Sequence, residues 1–383
     1  MTDFSVRTSK SAPRNTSVSR LRQTLSSLTL LHSCLLLLAT LVLLAATPLR
    51  AEPPGTDPHR AESNQTDKSN DLFDMLTRMS DADSSHFYRG TFILVKPGEL
   101  SALQVTHGRD DTGSWESLES LTGESRMVIR QDSQVVSVYP ERELVSIRNT
   151  DDHDSLHFSL PDDVGAISEY YSLHQREDDR IANRPTLVVE LVPDDEYRYG
   201  YRYWLDKETG LLLRCDLVDE DQHVVEQMMF TSLEYLPESP PIDFSLDAYA
   251  HFHKRHITEV STGDEAKDVP ETAMWQLSKL PAGFKRTESA MRYSRAASEQ
   301  LSAEQVDAGE PDLLHMVFSD GLASVSVFIE DFLGGTDHLM GPASMGAVNA
   351  YGNPLGRHYI TVVGEVPPRT VKLLAESIVL KDM

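Results

Sequence analysis

The stretch YRYGYRYWLDKETGLLLRCDLVDEDQHVVEQMMFTSLEY, residues 197–235, constrains the fold more than any other. Tyr197, Tyr199, Tyr201, Tyr203 and Leu205 fall on one face by strict alternation, as do Leu211, Leu213, Cys215 and Leu217 in the next segment. Val225, Met229, Leu233 and Tyr235 follow in a third. A period of two over segments this short predicts strands, and the polar breaks Asp206–Gly210 and Glu220–His223 predict tight turns between them. Strands joined by tight turns pair antiparallel, so no βαβ unit is expected here.

The same pattern starts earlier. YRGTFILVK (88–96), a PGE turn and LSALQVTH (100–107) predict a hairpin, and SWESLESL, MVIRQD, QVVSVYP and ELVSI continue it. PTLVVELVP (185–193) predicts a further strand, and ISEYYSLH (167–174) a helical interlude with Ile167, Tyr170, Tyr171 and His174 on one side. Asp71 is placed to cap a short helix, DLFDMLTRMS, with Phe73, Leu76 and Met79 at helical spacing. LPESPPIDFSLD (236–247), with its three prolines, is the natural linker. After it, RTESAMRYS is a candidate strand. HMVFSDGLASVSVFIED (315–331) predicts a hairpin about Asp320-Gly321, and SMGAVNAYGNPLGRHYITVVGEV (344–366) another, turned at Gly352–Gly356. PPRTVKLLAESIVL (367–380) predicts a helix with Val371, Leu374 and Ile378 as its apolar stripe. The expected class is α+β, mostly antiparallel: a sheet domain at 71–235, the linker 236–247, and a smaller sheet domain with a packed helix at 248–383.

The N-terminus has the features of an exported chain. Arg7, Lys10, Arg14, Arg20 and Arg22 precede the apolar run 35–46, and Ala51 is suited to be the last residue before a cut. The alternative is a retained anchor, since Leu28 to Ala46 is almost long enough to span a bilayer. Residues 52–70 then form a polar leader. Cleavage after Ala51 takes six Lys/Arg and one Asp/Glu from totals of 35 and 60, leaving a net charge of about −30. Such a chain is repelled by nucleic acid. Cys215 would be the one cysteine left, so no intrachain disulfide is possible and stability must come from a packed core.

No reaction centre emerges. His251, His253 and His256 in HFHKRH lack a nearby acidic or thiolate fourth ligand and are expected to be solvated. GPASMG (341–346) has Pro342 where a nucleophile elbow needs glycine, and is expected to be a loop. DLVDEDQHVVEQ lacks the glycine and spacing of a calcium loop, and DDHD (151–154) is expected to be an exposed acidic loop. Cys215, mid-strand among leucines, is expected to be a buried inert thiol. No enzyme activity, cofactor or metal is expected. The tyrosine row has two readings, a partly buried sheet face or the wall of an apolar ligand cavity. On the second, Phe92, Leu94, Tyr199, Tyr201, Tyr203 and Leu213 meet lipid, with Arg198, Arg202 and Arg89 at the rim.

FYRGTFILV, YWLDKETGLLLRCDLVDED with VVEQMMFT, LPAGF, HMVFSDGLASVSVFIE and GAVNAYGNPLGRHYITVVGEVPPRTVKLLAESI together resemble the MucB/RseB family of periplasmic regulators of an envelope-stress sigma factor. The resemblance covers nearly the whole mature chain. It implies a LolA/LppX-like half-open barrel followed by a smaller sheet domain. It also implies binding to the periplasmic segment of an RseA/MucA-like anti-sigma factor, shielding from the site-one protease, and release by outer-membrane lipid or lipopolysaccharide. A lipid or lipoprotein carrier is the alternative, and a homo-oligomer is compatible with either. One departure is EDQH (220–223), where a glycine-containing turn is expected.

Overall fold

A computed structural model describes residues 72–79, 81–82, 85–111, 113–131, 134–149, 167–242, 244–257, 274–292, 313–332 and 338–380. The signal segment, the leader, Asp71 and DDHD lie outside the described residues. Helix α1 (72–79) places Leu72, Leu76 and Met79 in the core of the first sheet, as their spacing requires.

That sheet is built from β1 (Tyr88–Lys96), β2 (Glu99–Asp110), β3 (Gly113–Ser120), β4 (Met127–Gln131), β5 (Gln134–Tyr139), β6 (Leu144–Asn149), β7 (Tyr171–Gln175), β8 (Asp179–Ile181), β9 (Arg184–Pro193), β10 (Gly200–Asp206), β11 (Leu212–Val218), β12 (Val224–Tyr235) and β13 (His253–Ile257). Its order is β13-β6-β5-β4-β3-β2-β1-β12-β11-β10-β9-β7, with β8 paired to β9. The two end strands are not joined, so the sheet is open. Every pairing is antiparallel except β13 on β6.

The second unit comprises β14 (Trp275–Leu277), β15 (Lys285–Arg292), β16 (Leu313–Ser319), β17 (Ser324–Asp331), β18 (Gly341–Met345), β19 (Val348–Leu355), β20 (His358–Gly364), α2 (Pro368–Ser377) and β21 (Ile378–Leu380). Six strands form a sheet in the order β15-β16-β17-β20-β19-β18, and β14 pairs with β21. Helix α2 buries Val371, Leu374 and Ala375 against a core that includes Val325, Val327, Ile360 and Val362. Val371 and Leu374 each contribute about 1.5–3 kcal/mol through burial. Among the described residues no helix is long and apolar enough to cross a membrane.

Several sequence expectations are corrected. Residues 167–174 are not a helix: one turn closes with Tyr170 N–H donating to Ile167 O, and β7 follows. Tyr171 and Leu173 there pair with Pro193 and Leu191 of β9, so the sheet edge overrides the helical spacing. GPASMG is the edge strand β18, a position where Pro342 removes no needed donor. Strand β19 runs on through Gly352 to Leu355, and the hairpin turns at Gly356. Pro354 is tolerated because β18 pairs only as far as Gly352. The turn at 220–223 needs no glycine, since Gln222 itself takes φ 65°.

The stretch 236–252 is held against the first unit. Phe244, Leu246, Tyr249 and Phe252 pack on Val136, Val138, Val145 and Ile147, and Ser239 Oγ accepts from Arg109 N at 2.6 Å. Strand β13 then joins the first sheet, so residues up to 257 belong to it and not to the second unit.

Candidate functional site

Of the residues singled out in the sequence, Arg198 and Tyr199 lie at the joint between the two units. Tyr197 and Arg198 precede β10, in a turn where Asp195 Oδ1 accepts from Tyr197 N at 2.9 Å. This local capture bends the chain before the tyrosine row becomes a strand. Arg198 is therefore not at a rim: its side chain is fully buried. Its Nη1 donates to Asp320 Oδ2 at 2.6 Å, its Nη2 to Asp195 Oδ2 at 2.8 Å and to the Ala282 carbonyl. The rings of Tyr170, Tyr171 and Phe284 surround the guanidinium at 5.1, 5.5 and 5.2 Å. Asp320, in the β16–β17 turn, is also fully buried and uses its other oxygen to accept from Leu322 N and Ala323 N.

A second set closes the joint alongside. Asn349 donates to Tyr199 Oη at 3.1 Å and to the Val366 carbonyl at 2.8 Å. Burial pushes Tyr199 up to about 12. Glu226 Oε1 accepts from Ala347 N at 2.7 Å. Glu365 is pushed up to about 8, first by burial and then by the Glu226 carboxylate, with Lys96 acting against both. Thr370 Oγ1 donates to the Tyr197 carbonyl at 2.7 Å, and Arg369 pairs with Glu196 and Glu220. Gly346, at φ 63°, leaves room for Glu226: a Cβ there would sit 2.3 Å from Oε1. Gly346→Ala is expected to destabilise the chain by about 1–3 kcal/mol, from backbone strain and displacement of a buried carboxylate. Urea unfolding midpoints of the two proteins check this.

Arg202 is not at a free rim either. Its strand register places it opposite Glu190, on the face away from Tyr201 and Tyr203. Its Nε donates to Glu190 Oε1 at 2.7 Å and its Nη2 to Gln222 Oε1 at 2.6 Å. Burial alone would raise the Glu190 carboxyl, but Arg202 and Arg176 together hold it below its ordinary value. Arg89 is exposed and reaches Thr106 Oγ1 at 3.5 Å. Phe92, Tyr201, Tyr203 and Leu213 are buried in one core with Tyr171, and Leu94 is half-buried at its margin. Tyr201 lies 5.7 Å from Tyr203 and 6.3 Å from Tyr171, ring centre to ring centre, and burial pushes all three hydroxyls well up.

Asp219, Asp221 and His223 are the one group with metal-ligand spacing among the described residues. Asp219 Oδ1 is already used, accepting from the backbone of Asp221 and His223, which is turn chemistry. His251 and His253 are exposed. Cys215 is half-buried on β11, and burial pushes its thiol well up, away from reactivity. Asp320, Asn349, Glu226 and Glu365 were missed in the sequence, where each lies far from its partner. The one available signal was Asp320-Gly321, which reads as a turn but not as the acceptor of a distant arginine.

The MucB/RseB N-terminal domain matches residues 71–248, and the MucB/RseB C-terminal domain matches 269–379. Among curated relatives, the sigma factor AlgU regulatory protein MucB of Pseudomonas aeruginosa is 28% identical over 320 residues, 80% of this chain and 90% of that protein. The sigma-E factor regulatory protein RseB of Escherichia coli K12 is 27% identical over 305 residues, 79% and 89% of the two chains. Both are named as regulators and not as enzymes, in keeping with a binding protein. A structure described as the complex of Pseudomonas aeruginosa MucA and MucB contains a chain 26% identical to this one, with a TM-score of 0.60, covering 82% of this chain and 100% of that one. A crystal structure of MucB, 25% identical with a TM-score of 0.53, covers 82% and 98%. With both domain models matched in order and little of the chain between them unmatched, this protein belongs to the MucB/RseB family.

Proposed function

We propose that this chain is an exported, periplasmic regulator that covers the periplasmic segment of a membrane-spanning anti-sigma factor. Covered, the segment is shielded from the first proteolytic cut. Outer-membrane lipid or lipopolysaccharide then binds and releases it. The observation that carries this reading is the match, over both domains, to a chain solved in complex with MucA. The joint supports it. Arg198, Tyr199 and Glu226 come from the first sheet, Asp320, Asn349 and Ala347 from the second, so the two units present themselves as one body.

Acyl chains enter past half-buried Leu94 and Leu103, toward Phe92, Tyr201, Tyr203 and Leu213. Each methylene buried contributes about 0.8 kcal/mol. Release requires that lipid and peptide bind with negative coupling, which is reciprocal. A lipid carrier would need only one sheet and a mouth, and the second unit with its keyed joint favours the regulator. In a cleavage assay on a membrane-inserted anti-sigma factor, adding this chain is expected to slow the first cut at least tenfold, and lipopolysaccharide to restore it. An unchanged cleavage rate in the presence of saturating chain would sink the reading.

A further inference from the structure

Two turns of the second unit close the joint, and both project from the same end of its sheet. The β16–β17 turn carries Asp320, and the β18–β19 turn carries Gly346 and Ala347. Register aligns Val325, Gly364 and Asn349 across the sheet at that end, so Glu365, the first residue after β20, emerges between the turns. In the order β16-β17-β20-β19-β18 the turn centres lie three strand spacings apart, about 14 Å. The joint therefore has two edges, and their chemistry differs.

At the Asp320 edge the charges are fixed. Arg198 is fully buried with Asp195 and Asp320 as its acceptors. Burial works against its charge, yet those two carboxylates hold it above its ordinary value, and burial pushes the neighbouring Tyr171 well up, so neither titrates near neutral pH. The Ala347 edge is different. Glu226 Oε1 accepts from Ala347 N at 2.7 Å, and Lys96 lies alongside, with its Cβ 3.8 Å from where a Cβ on Gly346 would stand. Glu365 faces this group: Glu226 of β12 opposes its ionisation and Lys96 of β1 favours it. Tyr199, Tyr201 and Tyr203 on the β10 side and Cys215 of β11 also sense its charge, and burial keeps all four protonated. Asp219 acts on Tyr199 from the β11–β12 turn, and Arg369 of α2 is taken by Glu196 and Glu220. Among the described residues Lys96 is the one cation acting on Glu365, so ionisation there sets two carboxylates against each other across the joint.

We propose that the joint is a proton-gated hinge. It is closed while Glu226 and Glu365 share one proton, and it swings open at the Ala347 edge, about the Arg198–Asp320 pair, once both carry charge. Opening breaks the Glu226–Ala347 and Tyr199–Asn349 hydrogen bonds and lets water reach both carboxylates. The buried ion pair at the other edge is too costly to break and acts as the pivot. In the open joint Glu365 returns to its ordinary 4.5, against about 8 when closed, so closure is at full strength below pH 4.5 and is lost as pH rises through 8. The device needs no bound partner, and its test stands apart from the function proposed above.

The test is amide hydrogen exchange of the full chain, comparing Ala347 N–H with Ala323 N–H, which donates to Asp320 Oδ1 at 2.7 Å. Corrected for intrinsic rates, exchange at Ala347 is expected to be about fiftyfold faster at pH 8 than at pH 6, the factor that the two values for Glu365 impose. Exchange at Ala323 should not change. Glu365→Gln should hold Ala347 at its pH 6 rate throughout, and Lys96→Met should move the rise to higher pH, because that cation favours the ionised form. A flat profile at Ala347, or a Glu365→Gln protein that keeps the rise, overturns the proposal. An equal rise at both amides means that the units part or unfold as a whole, and the hinge is wrong. If Glu365→Gln does not fold, Lys96→Met decides, and a rise that it leaves in place overturns the proposal.

Discussion

Asp320→Ala is expected to lower stability by about 3–5 kcal/mol, the usual cost of removing one partner of a buried ion pair. Arg198 would keep Asp195 and the Ala282 carbonyl but lose its one fully buried counter-charge. The same substitution frees Leu322 N and Ala323 N in the β16–β17 turn and the hydroxyl of Tyr171, which lies 3.3 Å from Asp320 Oδ2. Asp320→Asn can still accept those turn N–H groups, so it should recover part of the loss but not the charge pairing. Asp195→Asn is the control. Asp195 is 28% exposed, and its change is expected to cost about 1 kcal/mol. Urea unfolding followed by tryptophan fluorescence measures all three. A loss below 1 kcal/mol for Asp320→Ala would mean that the joint is not held by this pair.

Stability should also fall as pH rises, through Glu365. Its folded pKa of about 8 stands above its ordinary 4.5. Between those two values the folded chain keeps a proton that the unfolded chain has released, so unfolding becomes easier with each pH unit. The contribution is complete below pH 4.5 and is lost as pH passes 8. One pKa unit corresponds to about 1.4 kcal/mol, so a fall of about 3 kcal/mol between pH 5 and 8 is expected. Glu226 opposes the ionised form, Lys96 favours it, and no other group contributes comparably. Glu365→Gln should remove most of the slope. A wild-type profile that is flat or rises from pH 5 to 8 would refute the assignment.

The strands were legible because each carries its own alternation and its own turn. The β1–β2 hairpin and β9 to β12 needed no distant information. Strand β7 was not legible: Ile167, Tyr170, Tyr171 and His174 fit helical spacing, and only the exposed edge of β9 decides against it. The same limit hid the joint. Arg198 and Asp320 are 122 residues apart, Tyr199 and Asn349 150 apart, and nothing local distinguishes a buried arginine from a rim arginine. Arg202 was a nearer miss, since alternation alone puts it on the face opposite Tyr201 and Tyr203. In 236–252 the prolines concealed a second pattern: Phe244, Leu246, Tyr249 and Phe252 are too apolar for a free tether.

The late return of the chain to its first sheet constrains the order of assembly. Synthesis proceeds from the N-terminus, yet β6 waits for its outer neighbour until Ile257 has been made, more than a hundred residues later. Until then Val145 and Ile147 have no cover from Tyr249 and Phe252, and β6 offers a raw edge to any other nascent chain. A fragment stopped at Tyr235, where the meander ends, would keep that edge permanently.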